Sequence, residues 1–148
     1  MESAKNGFCS IEWDSDYIAI HDGARCLVTP EMISLVISDA KKYGAASAST
    51  KVTDTIKKVD SAGFVSTTVN RETLRSIQTP QIFKTQIYKD AILNADVSDP
   101  EITDDNMLVE RMGYKVYLTE TGKRNIKITV KDDILYASYL LGGENSNV

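Results

Sequence analysis

Tyr17-Ile18-Ala19-Ile20-His21-Asp22-Gly23-Ala24-Arg25 decides how this chain is read. Four residues without polar alternation, cut off by a charged cluster, suggest a strand buried on both faces, as in a parallel sheet flanked by helices. In open α/β sheets, ligands bind beyond the carboxyl ends of such strands. His21, Asp22 and Arg25 stand at that place. Asp22 has the chemistry to hold a metal ion, and Arg25 to hold an anion. A surface turn in which the two simply pair is the competing reading.

Moving outward, Thr29-Pro30-Glu31 starts a helix, with a hydroxyl to cap, proline at the first position and an acid next. Met32, Ile33, Val36, Ile37 and Ala40 keep helical spacing, and Gly44 is the stop. Ala45 to Thr55, rich in small and β-branched residues, reads as the next strand. The segments 54–60 and 64–69 flank Ser61-Ala62-Gly63, which suggests a hairpin with a bulge. Its polar arms do not suit a core, and an isolated hairpin is barely stable, so it is expected to pack on something, such as another subunit. Arg75–Gln78 reads as short and extended, since Pro80 keeps Thr79 out of the helical region. Thr85 is expected to cap a helix using Ile87, Tyr88, Ala91 and Ile92, and Asp99-Pro100 to break the pattern. Thr103 or Asp104 opens another, closed by Gly113. Tyr114–Thr119 and Ile126-Lys127-Ile128 read as strands. Thr129 with Asp132 resembles a capping box before a last helix through Ile134, Leu135, Ala137, Tyr139, Leu140 and Leu141, with a frayed tail from Gly142.

The 148 residues suffice for one domain with a real core, and 42% hydrophobic with 26% charged residues is ordinary for a globular protein. No apolar run is long enough to span a bilayer and no signal pattern opens the chain, so no membrane role and a cytoplasmic location are expected. Cys9, Cys26 and a single histidine do not make a structural zinc site. A net charge of -4 argues against general nucleic-acid binding, while leaving a small anionic ligand open.

Almost all polar clusters fall at strand ends or loop starts: His21-Asp22-Gly23-Ala24-Arg25, Thr53-Asp54-Thr55, Asn70-Arg71, Gln78-Thr79-Pro80-Gln81, Thr103-Asp104-Asp105 and Asn125-Ile126-Lys127-Ile128-Thr129. In this order and spacing, from about Tyr17 to Leu141, they resemble the C-terminal part of the 2-C-methyl-D-erythritol 4-phosphate cytidylyltransferase family. The resemblance implies a single Rossmann-like α/β domain over 1–148, with a mostly parallel, helix-flanked sheet and a dimerisation arm at 54–69. It implies transfer of CMP from CTP to the methylerythritol phosphate, with release of pyrophosphate, in non-mevalonate isoprenoid synthesis. The phosphate nucleophile is already ionised, so the chemistry calls for charge neutralisation and alignment rather than a general base.

By the same resemblance, Arg71 and Lys127 position the substrate phosphate, and Asp22 and Arg25 hold the polyol with Asp22 near a magnesium ion. Thr55, Thr79 and Thr103 contact substrate, and Gly23 lets a backbone amide approach the nucleotide. His21 orients. If the arm reaches into a neighbour's site, Arg71 and Thr55 serve the partner of a homodimer. A plastid location would follow for a photosynthetic eukaryote. Two departures are mild: Gly23 stands where the family usually has Ala, and Asn70 where Asp is commoner. A third is larger. Nothing in Met1–Asp16 matches the family's glycine-rich loop, whose Arg and Lys grip the CTP triphosphate, so the chain alone is expected to be inactive. The alternatives are a ribitol 5-phosphate cytidylyltransferase and a non-catalytic module that only folds and dimerises.

Overall fold

The computed structural model describes residues 2–12, 14–96 and 99–142. Its centre is one long hairpin. Strand β2 (Ala45–Lys51) leaves the sheet, the chain runs out through an arm of β3 (Lys57–Val59) and β4 (Val65–Thr68), and β5 (Arg75–Lys84) returns beside β2. The edge strand β1 (Tyr17–Ile20) pairs with β5, and β6 (Tyr117–Glu120) with β2, giving the order β1-β5-β2-β6.

The class is mixed α/β with helices on both faces of the central sheet, as expected. The strand pairing differs in one respect. Three strands run the same way, but β5 lies between them reversed, so only the β2–β6 pairing is parallel. The cause is the arm itself: a hairpin excursion returns the chain antiparallel to the strand it left.

Adjacent residues on β2 and β5 point to opposite faces. Ala46, Ala48 and Ile82 meet Val36 and Ala40 of helix α2 (Pro30–Tyr43). Ala45 and Phe83 meet the other face, with Tyr88, Ala91 and Ile92 of α3 (Thr85–Asn94) and Leu108 and Val109 of α4 (Asp105–Arg111). Both faces are covered, and Ser47 and Ser49, which alternate with alanine along β2, are buried and hydrogen-bonded to Asn106 and to the Thr119 carbonyl. β1 is not so covered: Ala19 is exposed and its neighbours are half-buried, because it has β5 on one side only.

Helix α2 begins and ends where its residues require. The Thr29 hydroxyl accepts the Met32 N–H at 3.3 Å, and Gly44 closes the helix at φ 89°, where a Cβ would come within 3.2 Å of Ile87. Asp104, not Thr103, caps α4, accepting the Met107 N–H at 3.1 Å. In the arm, Gly63 sits at φ 88° and the Asp60 carboxylate takes the N–H groups of Ala62 and Phe64. The expected bulge lies between Lys58 and Val59.

Several local expectations are corrected. β5 is ten residues rather than four, and Pro80 lies inside it. A proline is tolerated there because the ladder breaks: between Ser47↔Gln81 and Ser49↔Ile77, Ala48 alone faces three residues of β5. Ile126–Ile128 is not a strand; Ile126 N–H turns back to Arg124 O and Ile128 N–H reaches Ala24 O, both at 2.9 Å. Helix α5 (Lys131–Gly142) is opened by Asp133, whose carboxylate accepts from Thr129 and Val130, rather than by Asp132. Of its apolar residues only Ala137 is buried, and Leu135 and Tyr139 lie open to solvent. The expected tail at 143–148 lies outside the described residues. A helix for which no expectation was drawn from the sequence, α1 (Glu2–Cys9), precedes β1. Among the described residues no helix is long and apolar enough to cross a membrane.

Candidate active site

The β1–β5 ladder ends at Ile20↔Gln81, and beyond it the Asp22 N–H donates to the Thr79 hydroxyl at 2.9 Å. Thr79 belongs to the irregular stretch around Pro80, so the break in one ladder supplies the acceptor that carries β1 into its loop. His21 Nδ1 lies 3.0 Å from the same hydroxyl and Nε2 3.3 Å from the Arg25 carbonyl. One tautomer satisfies both contacts, with Thr79 donating to Nδ1 and Nε2–H donating to the carbonyl. The ring therefore braces the loop, as an orienting group does.

The loop brings three charges together. Asp22 Oδ2 stands 3.0 Å from Lys127 Nζ and 3.6 Å from Arg25 Nε. The two readings of Asp22 and Arg25 thus coincide: they pair, and they also line a cavity of about 850 Å³. The Arg25 side chain is only 11% exposed, and its Nη1 donates to the Asn125 carbonyl at 2.8 Å. Burial lowers its pKa while Asp22 opposes that, and a guanidinium so placed stays charged. The Lys127 side chain is 48% exposed. An ion pair of that exposure is weak, so an entering anion can take Lys127 from Asp22 at small cost. Arg25 is fixed; Lys127 is available.

Asp22, Gly23, Arg25, Thr79, Thr103 and Lys127 line this one cavity. Gly23 has open space where a Cβ would sit, so nothing in the chain's own packing demands glycine there. The Thr79 hydroxyl is already engaged by Asp22 and His21, and the Thr103 hydroxyl faces Met107 Sδ at 3.2 Å. Arg71 and Thr55 do not line the cavity. Arg71 lies at the foot of the arm, where its Nη1 donates to the Thr53 carbonyl at 2.7 Å, and Thr55 is exposed nearby.

Other contributors were missed in the sequence. Helix α1 walls the cavity with Ser3, Ala4, Gly7 and Phe8, and the Phe8 ring meets Tyr88 edge-on at 5.4 Å. The i, i+4 spacing of Ala4 and Phe8 was the available signal. Deeper in, the Tyr88 hydroxyl donates to Asp105 at 2.7 Å, and burial raises the pKa of both groups. Gln81 bridges the sheet to the start of α4, donating to Asp104 Oδ2 at 3.1 Å and accepting the Asn106 N–H at 3.1 Å.

The residues present do not fit a resident magnesium ion. Asp22 shares its Oδ2 with two cations, Asp104 is held by Gln81 and its own helix, and Asp105 is held by Tyr88. Among the described residues no three acids, histidines or cysteines gather as a metal site.

Comparison with known proteins agrees with this fold. The family model described as IspD, 2-C-methyl-D-erythritol 4-phosphate cytidylyltransferase, matches residues 1–143. A protein of that name from Caldanaerobacter subterraneus is 43% identical over 139 residues, covering 94% of this chain and 61% of the relative. The chloroplastic protein of that name from rice is 39% identical over 141 residues, covering 95% of this chain and 48% of the relative. The crystal structure of 4-diphosphocytidyl-2C-methyl-D-erythritol synthase from Anaerococcus prevotii superposes with a TM-score of 0.86 at 31% identity, over 95% of this chain and 65% of that one. The chain spans about half to two thirds of the length of the relatives it matches.

Proposed function

Since the chain belongs to the 2-C-methyl-D-erythritol 4-phosphate cytidylyltransferase family, we propose that its cavity receives the phosphate of 2-C-methyl-D-erythritol 4-phosphate and presents it to CTP. A phosphate oxygen of the polyol attacks the α-phosphorus of CTP. A new P–O bond forms, the bond to the β-phosphate oxygen breaks, and pyrophosphate leaves with the electron pair. No proton need be removed from the nucleophile. The observation that carries the reading is the convergence of Lys127 and Arg25 on Asp22 at the end of β1, inside one cavity.

Each group has a task in this reading. Lys127 leaves Asp22 for the substrate phosphate and holds one oxygen as a point charge. Freed of it, the Asp22 carboxylate accepts from the polyol hydroxyls, while Arg25 keeps that carboxylate in place. Thr79 acts through Asp22 and His21, and Thr103 stands at the cavity edge. Gly23 leaves room for the nucleotide to reach the backbone. A divalent ion would arrive on the phosphates, since the carboxylates here are otherwise occupied.

The arm carries a homodimer in this reading, and Arg71 and Thr55 at its foot serve the partner's cavity. Its apolar residues support that: Phe64 at the tip is 73% exposed, and β3 pairs with β4 alone.

Calorimetry on the 148-residue polypeptide tests the reading. It should bind 2-C-methyl-D-erythritol 4-phosphate in preference to ribitol 5-phosphate. Lys127→Ala should weaken that binding roughly tenfold, the worth of one charge-assisted hydrogen bond, while moving stability by less than about 0.5 kcal/mol. A preference for ribitol 5-phosphate would assign the sister reaction. Binding of neither would leave a module that folds and dimerises without substrate.

A further inference from the structure

We propose that Asn125 is the positioning residue of this cavity, the group that sets Arg25 and Lys127 in register with β5. It rests on the substrate reading given above and adds a residue to it. Asn125 is fully buried and uncharged, yet it sits between the two cations in structure and in sequence. Residues 121–130 form neither helix nor strand, so Lys127 is carried by a segment with no ladder of its own. Backbone bonds hold its two ends, Thr121 N–H to the Ser49 carbonyl and Ile128 N–H to the Ala24 carbonyl, both at 2.9 Å, and side-chain amides hold what lies between. Asn125 Nδ2 donates to the Thr79 carbonyl at 2.8 Å and to Gln78 Oε1 at 3.2 Å. Gln78 Oε1 also accepts from the Thr121 hydroxyl at 3.1 Å, fastening the start of the same segment.

The orientation of the amide is not arbitrary. A main-chain carbonyl can only accept, so the group facing Thr79 must be the NH₂ and not the oxygen. That bond falls within the stretch of β5 where the ladder to β2 is broken, and it satisfies a carbonyl there. On its other side, the Asn125 backbone carbonyl receives Arg25 Nη1 at 2.8 Å. One residue therefore joins three things: the Thr79 backbone, the guanidinium of Arg25 and, two residues on, the ammonium of Lys127. Asn125 Oδ1 and Arg25 Nε are both buried and have no hydrogen-bond partner among the described residues.

Asn125→Asp tests this at nearly constant volume, because it places an acceptor against the Thr79 carbonyl. Two readouts are taken on the 148-residue polypeptide. The first is the ¹⁵N signal of the Arg25 Nε–H, with its solvent exchange; the second is an NMR titration with 2-C-methyl-D-erythritol 4-phosphate followed at residues around Lys127. The proposal expects Arg25 exchange to rise at least tenfold in the variant, and binding to weaken at least tenfold. Thermal unfolding should remain cooperative. In a Lys127→Ala background, Asn125→Ala should then cost clearly less affinity than it does with the lysine present, because part of its effect runs through Lys127 and only the part through Arg25 remains; a purely structural role would subtract its full effect again. If Asn125→Asp does not fold, Asn125→Ser, which is too short to reach Thr79, supplies the same two readouts. Unchanged Arg25 exchange in a folded variant, or additive losses in the double variant, overturns the proposal. Failure of the wild type to bind the polyol phosphate overturns the substrate reading instead, and the Arg25 signal still judges Asn125.

Discussion

Tyr88 and Asp105 show what a single buried pair contributes. The Asp105 carboxyl is raised above its ordinary value of 3.8, chiefly by burial, with the Tyr88 hydrogen bond opposing. A carboxyl raised in the folded state holds its proton at pH values where the unfolded chain has released it. Its contribution to stability is therefore best at low pH and is lost as pH rises above 3.8 through the folded value. Asp105→Asn keeps the acceptor for Tyr88 and removes the buried charge. It should raise the melting temperature at pH 7 by roughly 2–4 °C, the shift that about 1 kcal/mol produces in a chain of this size. The gain should vanish as pH falls toward 3.8. A lower melting temperature at pH 7 would mean that the ionised carboxylate is needed. At this scale Asp22 and Arg25 were singled out because they end an apolar run, whereas Lys127 was singled out only by the family resemblance; the structure brings the three together. Asn125 and Gln81 were not legible, because a buried amide is defined by its partners, which lie 23 to 47 residues away.

The arm is the element with the least claim to stand alone. Its strands are exposed along their whole length, with Val59 and Val65 about 60% open and Phe64 more so. Replacing residues 57–68 by a short glycine-serine link should turn the proposed dimer into a monomer in sedimentation while leaving the domain folded. The arm adds no buried residue to the core, so melting of the monomer should hardly move. A dimer that survives the replacement would place the interface elsewhere. Elements whose ends are written in local chemistry were legible: Thr29-Pro30, Gly44, Asp104 and Ser61-Ala62-Gly63 each announce a cap or a turn. β5 was not, since Pro80 suggests a stop unless the ladder break opposite Ala48 is known. Ile126–Ile128 misled for the opposite reason: β-branched residues fit a strand, but no neighbouring strand is there to receive them.

For the whole molecule, the layers followed from the sequence and the direction of one central strand did not. Helical spacing between strand-like segments implies a sheet with helices packed on it, though Tyr17–Ile20, read as buried on both faces, is a half-open edge, and the reversal of β5 depends on where the arm returns. The cavity's cations set the expectation for activity. Arg25 and Lys127 are the only arginine or lysine side chains lining it among the described residues, and both face Asp22. A triphosphate is gripped by several amides or cations together, with the leaving pyrophosphate neutralised. A polypeptide of these 148 residues, given CTP and 2-C-methyl-D-erythritol 4-phosphate, should therefore release no pyrophosphate above background in a coupled assay. Measurable release would mean that α1 and the loop after β1 hold the triphosphate by themselves. The bond from Arg25 to the Asn125 carbonyl bears on a different matter, the order in which the molecule is made. It joins residues 100 apart, and Lys127 reaches Asp22 across a similar span. On the ribosome, β1, β2 and β5 emerge and can begin to pair while the acceptor for Arg25 has not yet been translated. During that interval a buried guanidinium lacks its carbonyl and Asp22 lacks its lysine. The corner where Arg25, Asp22 and Lys127 meet is thus completed last, and a nascent chain stalled before residue 125 carries the sheet with Arg25 and Asp22 still short of these partners.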